Sequence, residues 1–235
     1  MPNWITNRVT VTGRSDDIIA LKQHLYFDDE GELVFDFETI VPIPAVVHAT
    51  TGLSDPSMGL VALGSELAAK TCYGRMTLDR VMKSGWAREA DIKSRAGLLK
   101  YMWSHRPEEL AAARKVIRCH RLTGVVDWEA WLAKHWGTKR DAIDAFIQEL
   151  EDERLAFVFS TASDVPVPIF RTLGRMYPAL HFDICAIDPG SPWAMHGEVH
   201  GRRSAFRPAD PVAVYEEMFG CPPDGFDEDL DAVPL

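Results

Sequence analysis

"NWITNRVTVTG", residues 3–13, alternates in a way that decides how the rest of the chain reads. Along an extended backbone Ile5, Asn7, Val9 and Val11 point one way, and Thr6, Arg8, Thr10 and Thr12 the other. A period of two predicts a strand with one buried face, and Gly13 ends it. Ser15 is placed to cap a helix whose first turn holds Asp16 and Asp17, where the helix dipole favours negative charge. Ile18, Leu21 and Leu25 make its inner stripe. A second alternating run, "LVFDFETIV" (33–41), sets Leu33, Phe35 and Phe37 on one face before Pro42 and Pro44 stop it.

A corresponding set returns far downstream. "LAFVFSTA" (155–162) aligns Leu155, Phe157 and Phe159. "DVPVPIFRTLGRMYP" (164–178) predicts a helix with prolines at its entry, where a missing N–H costs little, and an inner stripe of Ile169, Phe170, Leu173 and Met176. "LHFDICAID" (180–188) is a fourth strand with Leu180, Phe182 and Ile184 aligned. The order is β-α-β, a long interruption, then β-α-β. The expectation is an α+β fold, a ferredoxin-like split βαβ sheet of strand order 4-1-3-2, with a large helical insertion between strands 2 and 3. Residues 1–44 and 153–210 would form the sheet domain, 45–152 the insertion, and 211–235 a last helix and an acidic tail. In that order Trp4 and Asn7 lie at the same sheet end as Thr161, Ser163, Asp164 and Asp188, with Trp4 supplying packing area.

The insertion reads as five helices: "GLVALGSELAAK" (59–70), "AGLLKYMW" (96–103), "PEELAAARKVIRCHRL" (107–122), "VDWEAWLAKHW" (126–136) and "TKRDAIDAFIQELE" (138–151). On the third of these, Arg114, Lys115, Arg118 and Arg121 gather on one side, with Trp86, Tyr101 and Trp103 interleaved nearby in the sequence. Cations with aromatics suit single-stranded nucleic acid, and they equally suit helices with charged outer faces. The net charge of −10 argues against general coating of DNA or membrane by the whole chain. The charge is uneven, however. Residues 66–121 hold 13 Lys/Arg against 6 Asp/Glu, while residues 151–235 hold 6 against 15. The basic block is therefore the candidate partner surface.

"HWGTKRDA" (135–142) predicts a helix break with Thr138 as the next N-cap and Lys139 and Arg140 in its first turn, a weak anion-binding candidate. "MHGEVHG" (195–201) would place His196, Glu198 and His200 on one strand face, but a further ligand is not identifiable, so no metal and no cofactor is assigned. Ser160, Thr161, Ser163 and Asp164 lack the glycine-flanked serine of a nucleophile elbow and read as a loop and helix cap. The cysteines Cys72, Cys119, Cys185 and Cys221 lie far apart, which predicts a reduced, cytoplasmic setting without structural zinc. No signal peptide and no membrane span is expected.

Taken in order, "MPNWITNRVTVTG", "FDFETIVPIP", "WLAKHWGTKRDA" and "FVFSTASDVPVPIFRTLGRMYPALHFD" resemble the YubB ferredoxin-like domain family, over about half of the chain. The family pattern carries an aromatic after "TA", where this chain has Ser163, and after "GTK", where it has Arg140. The resemblance implies the fold and a setting on phages, plasmids and the genomes they enter; it implies no reaction. The expected function is a non-catalytic accessory protein of a mobile element in the host cytoplasm. It would contact a protein or nucleic acid through the basic insertion. The competing expectations are an enzyme acting on a phosphate-containing small molecule and an acidic nucleic-acid mimic that occupies a host DNA-binding protein.

Overall fold

A computed structural model describes residues 3–70 and 76–222. In chain order the elements are β1 (Trp4–Thr12), α1 (Ser15–Leu21), β2 (Leu25–Phe27), β3 (Leu33–Phe35), α2 (Phe37–Ile40), α3 (Ala45–His48), α4 (Ser57–Ala62), α5 (Leu78–Met82) and α6 (Gly85–Glu89). There follow α7 (Arg95–His105), α8 (Pro107–Thr123), α9 (Trp128–His135), β4 (Ile143–Leu150), β5 (Arg154–Ala162), α10 (Val167–Met176), β6 (His181–Asp188), β7 (Trp193–His200), β8 (Arg203–Ala209) and α11 (Pro211–Phe219). The chain divides into two units, one of Met1–Pro42 with Leu132–Leu235 and one of Ile43–Trp131. The acidic stretch expected as a tail, beyond residue 222, lies outside the described residues.

The first unit is an α+β body. Among the described residues its strands form one sheet of order β2-β3-β4-β5-β1-β6-β7-β8, and every neighbouring pair is antiparallel. The opening strand lies inside it: Asn7 faces Phe159 of β5 on one side and Ala186 of β6 on the other. Ile5, Asn7, Val9 and Val11 are buried, as the alternation predicts, together with Phe157, Phe159, Phe182 and Ile184 from the flanking strands. Ile18 and Leu21 of α1 and Ile169, Phe170 and Leu173 of α10 are buried with them. Edge-to-face contacts join Phe35, Phe37, Phe157, Phe159 and Trp136 at centroid separations of 5.0–6.1 Å. The aromatic block supplies large apolar area, and the ring geometry adds to it. On the opposite face α11 seals a smaller core of Cys185, Ile187, Ala194, Val214 and Met218.

The structure departs from the sequence expectations at several points. The run 138–151 was expected as a helix; residues 143–150 instead form β4, joined to β5 by a tight turn at 151–153. Ala, Gln and Glu favour helix in isolation, but Ile143, Phe146 and Ile147 suit a sheet, and β5 would otherwise expose a row of unpaired backbone groups. Tertiary pairing overrides weak propensity. The place beside β5 that the order 4-1-3-2 reserves for strand 2 is thus held by β4. The predicted strand 33–41 is shorter than expected, because Asp36 turns the chain into α2: its carboxylate accepts from the Glu38 and Thr39 amides at 2.8 and 3.3 Å. Three antiparallel steps separate β3 from β1, so β3 runs against β1 and not with it. At α1 the capping position belongs to Arg14, and no side chain caps it.

The second unit is helical in its described residues. Its core holds Leu60, Val61, Val81, Leu98, Met102, Leu110, Ala113 and Val116, drawn from α4, α5, α7 and α8. The longest helix, α8, opens with Pro107 and with Glu108 and Glu109 in the first turn, and closes on left-handed Gly124. Each of these features satisfies or complements a helix end.

Candidate functional site

The basic ridge lies on α8. Leu110, Ala112, Ala113, Val116 and Cys119 face its core, while Arg114, Lys115, Arg118 and Arg121 are exposed. Ile117 and His120 are half-buried between the two faces. The Arg114 guanidinium sits 4.5 Å from the ring centroid of Trp103 on α7, and that ring is 53% exposed. A cation stacked on an open indole is held in place without being neutralised. Arg114, Arg118 and Arg121 line a groove of about 380 Å³ with Leu63 and Ile117. None of the four cations forms an ion pair among the described residues.

At the sheet end, Asn7 and Thr161 meet. The buried Asn7 amide donates to Thr161 Oγ1 at 2.9 Å and to the Ile5 carbonyl at 3.0 Å, and Thr161 Oγ1 donates to the Asp164 carbonyl at 2.8 Å. Ser163 closes the loop by donating its amide to the Asn3 carbonyl at 2.8 Å. These bonds tie loop backbone to strand. Trp4 stands opposite Ala162 and is half-exposed; the period of two sends it to the face opposite Asn7, so it does not fill that core.

The anion-binding expectation at Thr138, Lys139 and Arg140 loses its helix. No helix follows Thr138; its hydroxyl donates instead to the Arg140 carbonyl at 2.6 Å, and Lys139 and Arg140 are exposed. The segment is a corner that returns the chain to the sheet. Trp136 Nε1 donates to the Val41 carbonyl at 3.0 Å, and Asp141 accepts from the Phe37 and Ala142 amides at 3.1 and 2.9 Å. Burial pushes the Asp141 carboxyl up to about 6, against the pull of those two amides.

His196, Glu198 and His200 do share one face of β7, and β6 supplies partners that sequence reasoning missed. Cys185 stands opposite His196, Asp183 opposite Glu198 and His181 opposite His200. The signal was present: in "LHFDICAID" the residues between the inward Leu180, Phe182 and Ile184 are a histidine, an aspartate and a cysteine. Asp183, Cys185 and His196 bring ligand atoms within 4.8 Å of one another. The thiol is nevertheless committed elsewhere. Burial, with Glu217 beside it, pushes Cys185 up to about 12, so it stays protonated and donates to Glu217 Oε1 at 3.2 Å. Glu217 also takes Arg8 at 2.5 Å and lies 3.4 Å from His196 Nε2. The arrangement fastens α11 to the sheet, and no metal is assigned to it.

Sequence reasoning also missed a concavity of about 510 Å³ on the first unit. It is lined by Arg171 and Arg175 of α10, by Arg202 and Arg203 at the turn from β7 to β8, and by Val199, Gly201 and Ser204. All four arginines are exposed.

No protein-family model matches the chain, and no curated protein matches it. A crystal structure of protein api92 from Yersinia pseudotuberculosis, from the family of unknown function DUF1281, is similar in structure at a TM-score of 0.43 and 14% identity, covering 90% of this chain and 100% of that one. Among the described residues no helix is long and apolar enough to cross a membrane.

Proposed function

We propose that this chain is a non-catalytic accessory protein that binds single-stranded nucleic acid through the α8 ridge. One observation carries the reading: Arg114, Lys115, Arg118 and Arg121 are exposed and free of ion pairs among the described residues, with Arg114 stacked on the open Trp103 ring. Cations supply backbone attraction, and an exposed indole supplies a stacking face for a base. The reading extends to the family and its setting. The central strands β6-β1-β5, with α1 and α10 on one face, suit an elaborated ferredoxin-like domain of the YubB kind, in which β4 serves as the second strand. A phage or plasmid context in the host cytoplasm belongs to the same proposal.

The test is fluorescence anisotropy with a labelled single-stranded oligonucleotide across a salt series. The Arg114→Glu/Lys115→Glu/Arg118→Glu variant loses about tenfold or more in affinity and flattens the salt dependence, with its thermal unfolding unchanged. Equal affinity in the folded variant removes the proposal. A pull-down from host lysate with and without nuclease separates nucleic acid from a protein partner.

A further inference from the structure

Arg171 and Arg175 are one helical turn apart on α10, so both reach the same side. Arg202 lies in the two-residue loop between β7 and β8, Arg203 opens β8 opposite His200, and Gly201, the first loop residue, takes φ +58°. A glycine at the first position of such a loop is what lets the strands reverse so tightly. The two pairs of arginines are pinned together by a close approach. A Cβ on Gly174 would lie 2.4 Å from Val199 Cγ1 and 2.8 Å from the Gly201 carbonyl oxygen. The helix can therefore lie on the hairpin only because residue 174 has no side chain.

The four guanidinium groups have no neutralising partner. None of them forms an ion pair among the described residues. Arg171 is oriented by donating Nε to Ser204 Oγ at 3.1 Å and by lying over the Phe206 ring at 5.8 Å. Arg175 donates to the Arg171 carbonyl at 3.0 Å and to Thr172 Oγ1 at 3.2 Å. Most of the N–H groups of the four side chains are left over. Arginine stays charged at any physiological pH, so the like charges repel until an anion enters. A guanidinium matches a phosphate through two parallel hydrogen bonds. Four of them around about 510 Å³ suit a compact ligand with several phosphates in a row, and not a single small anion.

We infer that this concavity is a binding site for the phosphate chain of a nucleotide or an inorganic polyphosphate. The site lies wholly on the sheet-bearing unit and does not depend on the α8 ridge. Its location explains why charge counts along the chain hide it. Four of the six basic residues in the acidic stretch 151–235 converge here, from positions some thirty residues apart.

The experiment is calorimetry of the full chain with sodium tripolyphosphate and, separately, with ATP, in buffer free of phosphate. Saturable binding at one site per chain is expected for both probes. Affinity should fall about tenfold or more in Arg202→Ser/Arg203→Ser, whose changes lie at an exposed turn. The Arg114→Glu/Lys115→Glu/Arg118→Glu variant keeps the parental affinity. Absence of saturable heat with both probes overturns the inference. So does undiminished affinity in the Arg202/Arg203 variant, or loss of binding in the α8 variant. If oligonucleotide binding fails while tripolyphosphate binds as stated, the α8 reading falls and this site stands.

Discussion

Two titratable groups beside α2, the buried His24 and the partly buried Asp141, act in opposite senses. His24 is buried, 2.6 Å from Thr39 Oγ1 and 3.0 Å from the Tyr177 hydroxyl, and burial pushes its pKa down against a weaker pull from Asp36. The unfolded chain then takes up the proton first, so His24 costs stability as pH falls below the ordinary histidine value of about 6.5. Asp141 is the reverse. With its carboxyl raised to about 6, the folded chain holds that proton more tightly than the unfolded chain does. Stability is therefore given up as pH rises through the range from about 4 to 6, and above it the buried carboxylate carries its full penalty. Asp141→Asn keeps an oxygen for the Phe37 amide and removes the charge. Urea unfolding should show it about 1–2 kcal/mol more stable than the parent at pH 8, after allowance for partial solvent access, and no more stable at pH 4. An equal shift at both pH values would mean that charge is not the cause.

At the scale of elements, α10 is the helix on which most depends. Its buried stripe packs over the sheet, and Gly174 lets it meet the β7–β8 hairpin. Gly174→Ala forces a methyl group against backbone at Gly201, which cannot move aside as a flexible side chain would. Denaturant unfolding should register a loss of about 1–3 kcal/mol. Tripolyphosphate affinity should drop as well, because the two arginine pairs separate; retained stability with retained affinity would show that the hairpin yields instead. The legibility of elements followed their context. The inward stripes of β1, β5 and β6, and that of α10 except for the exposed Met176, were readable because the face each turns to the core is apolar. Strand β4 was not, since Ile143 is 37% exposed, Phe146 and Leu150 are each 52% exposed, and two register shifts interrupt its alternation. Nor was the end of β3, where one capping aspartate turns the chain.

At the scale of the whole molecule, the helical unit is an excursion from the sheet-bearing unit. Val41 and Trp136 are joined by a hydrogen bond of 3.0 Å, so the chain leaves and re-enters that unit at nearly one point. A loop whose ends lie close can be shortened with little entropic cost. A chain in which a short glycine-serine linker replaces residues 46–126 should keep its sheet signature in circular dichroism and its tripolyphosphate binding. Oligonucleotide binding should be lost, since α7 and α8 go with the deleted segment. A variant without cooperative unfolding would show instead that the sheet-bearing unit needs the helices to fold.

The candidate sites were legible to different depths for one reason. Arg114, Lys115, Arg118 and Arg121 lie on a single helix, so helical spacing alone gathers them. His196, Glu198 and His200 lie on a single strand, and alternation alone places them on one face. The partners of that row on β6, and the four arginines that meet across α10 and the β7–β8 turn, belong to different elements. Local sequence carries the period of each element and the side that turns inward, because both follow from backbone geometry and the removal of apolar surface from water. It carries neither the register between strands nor the distance at which a helix settles on a sheet. Those depend on contacts between residues far apart in the chain, and here they decided where β4 belongs, that no helix stands behind Lys139, and that four like charges share one hollow.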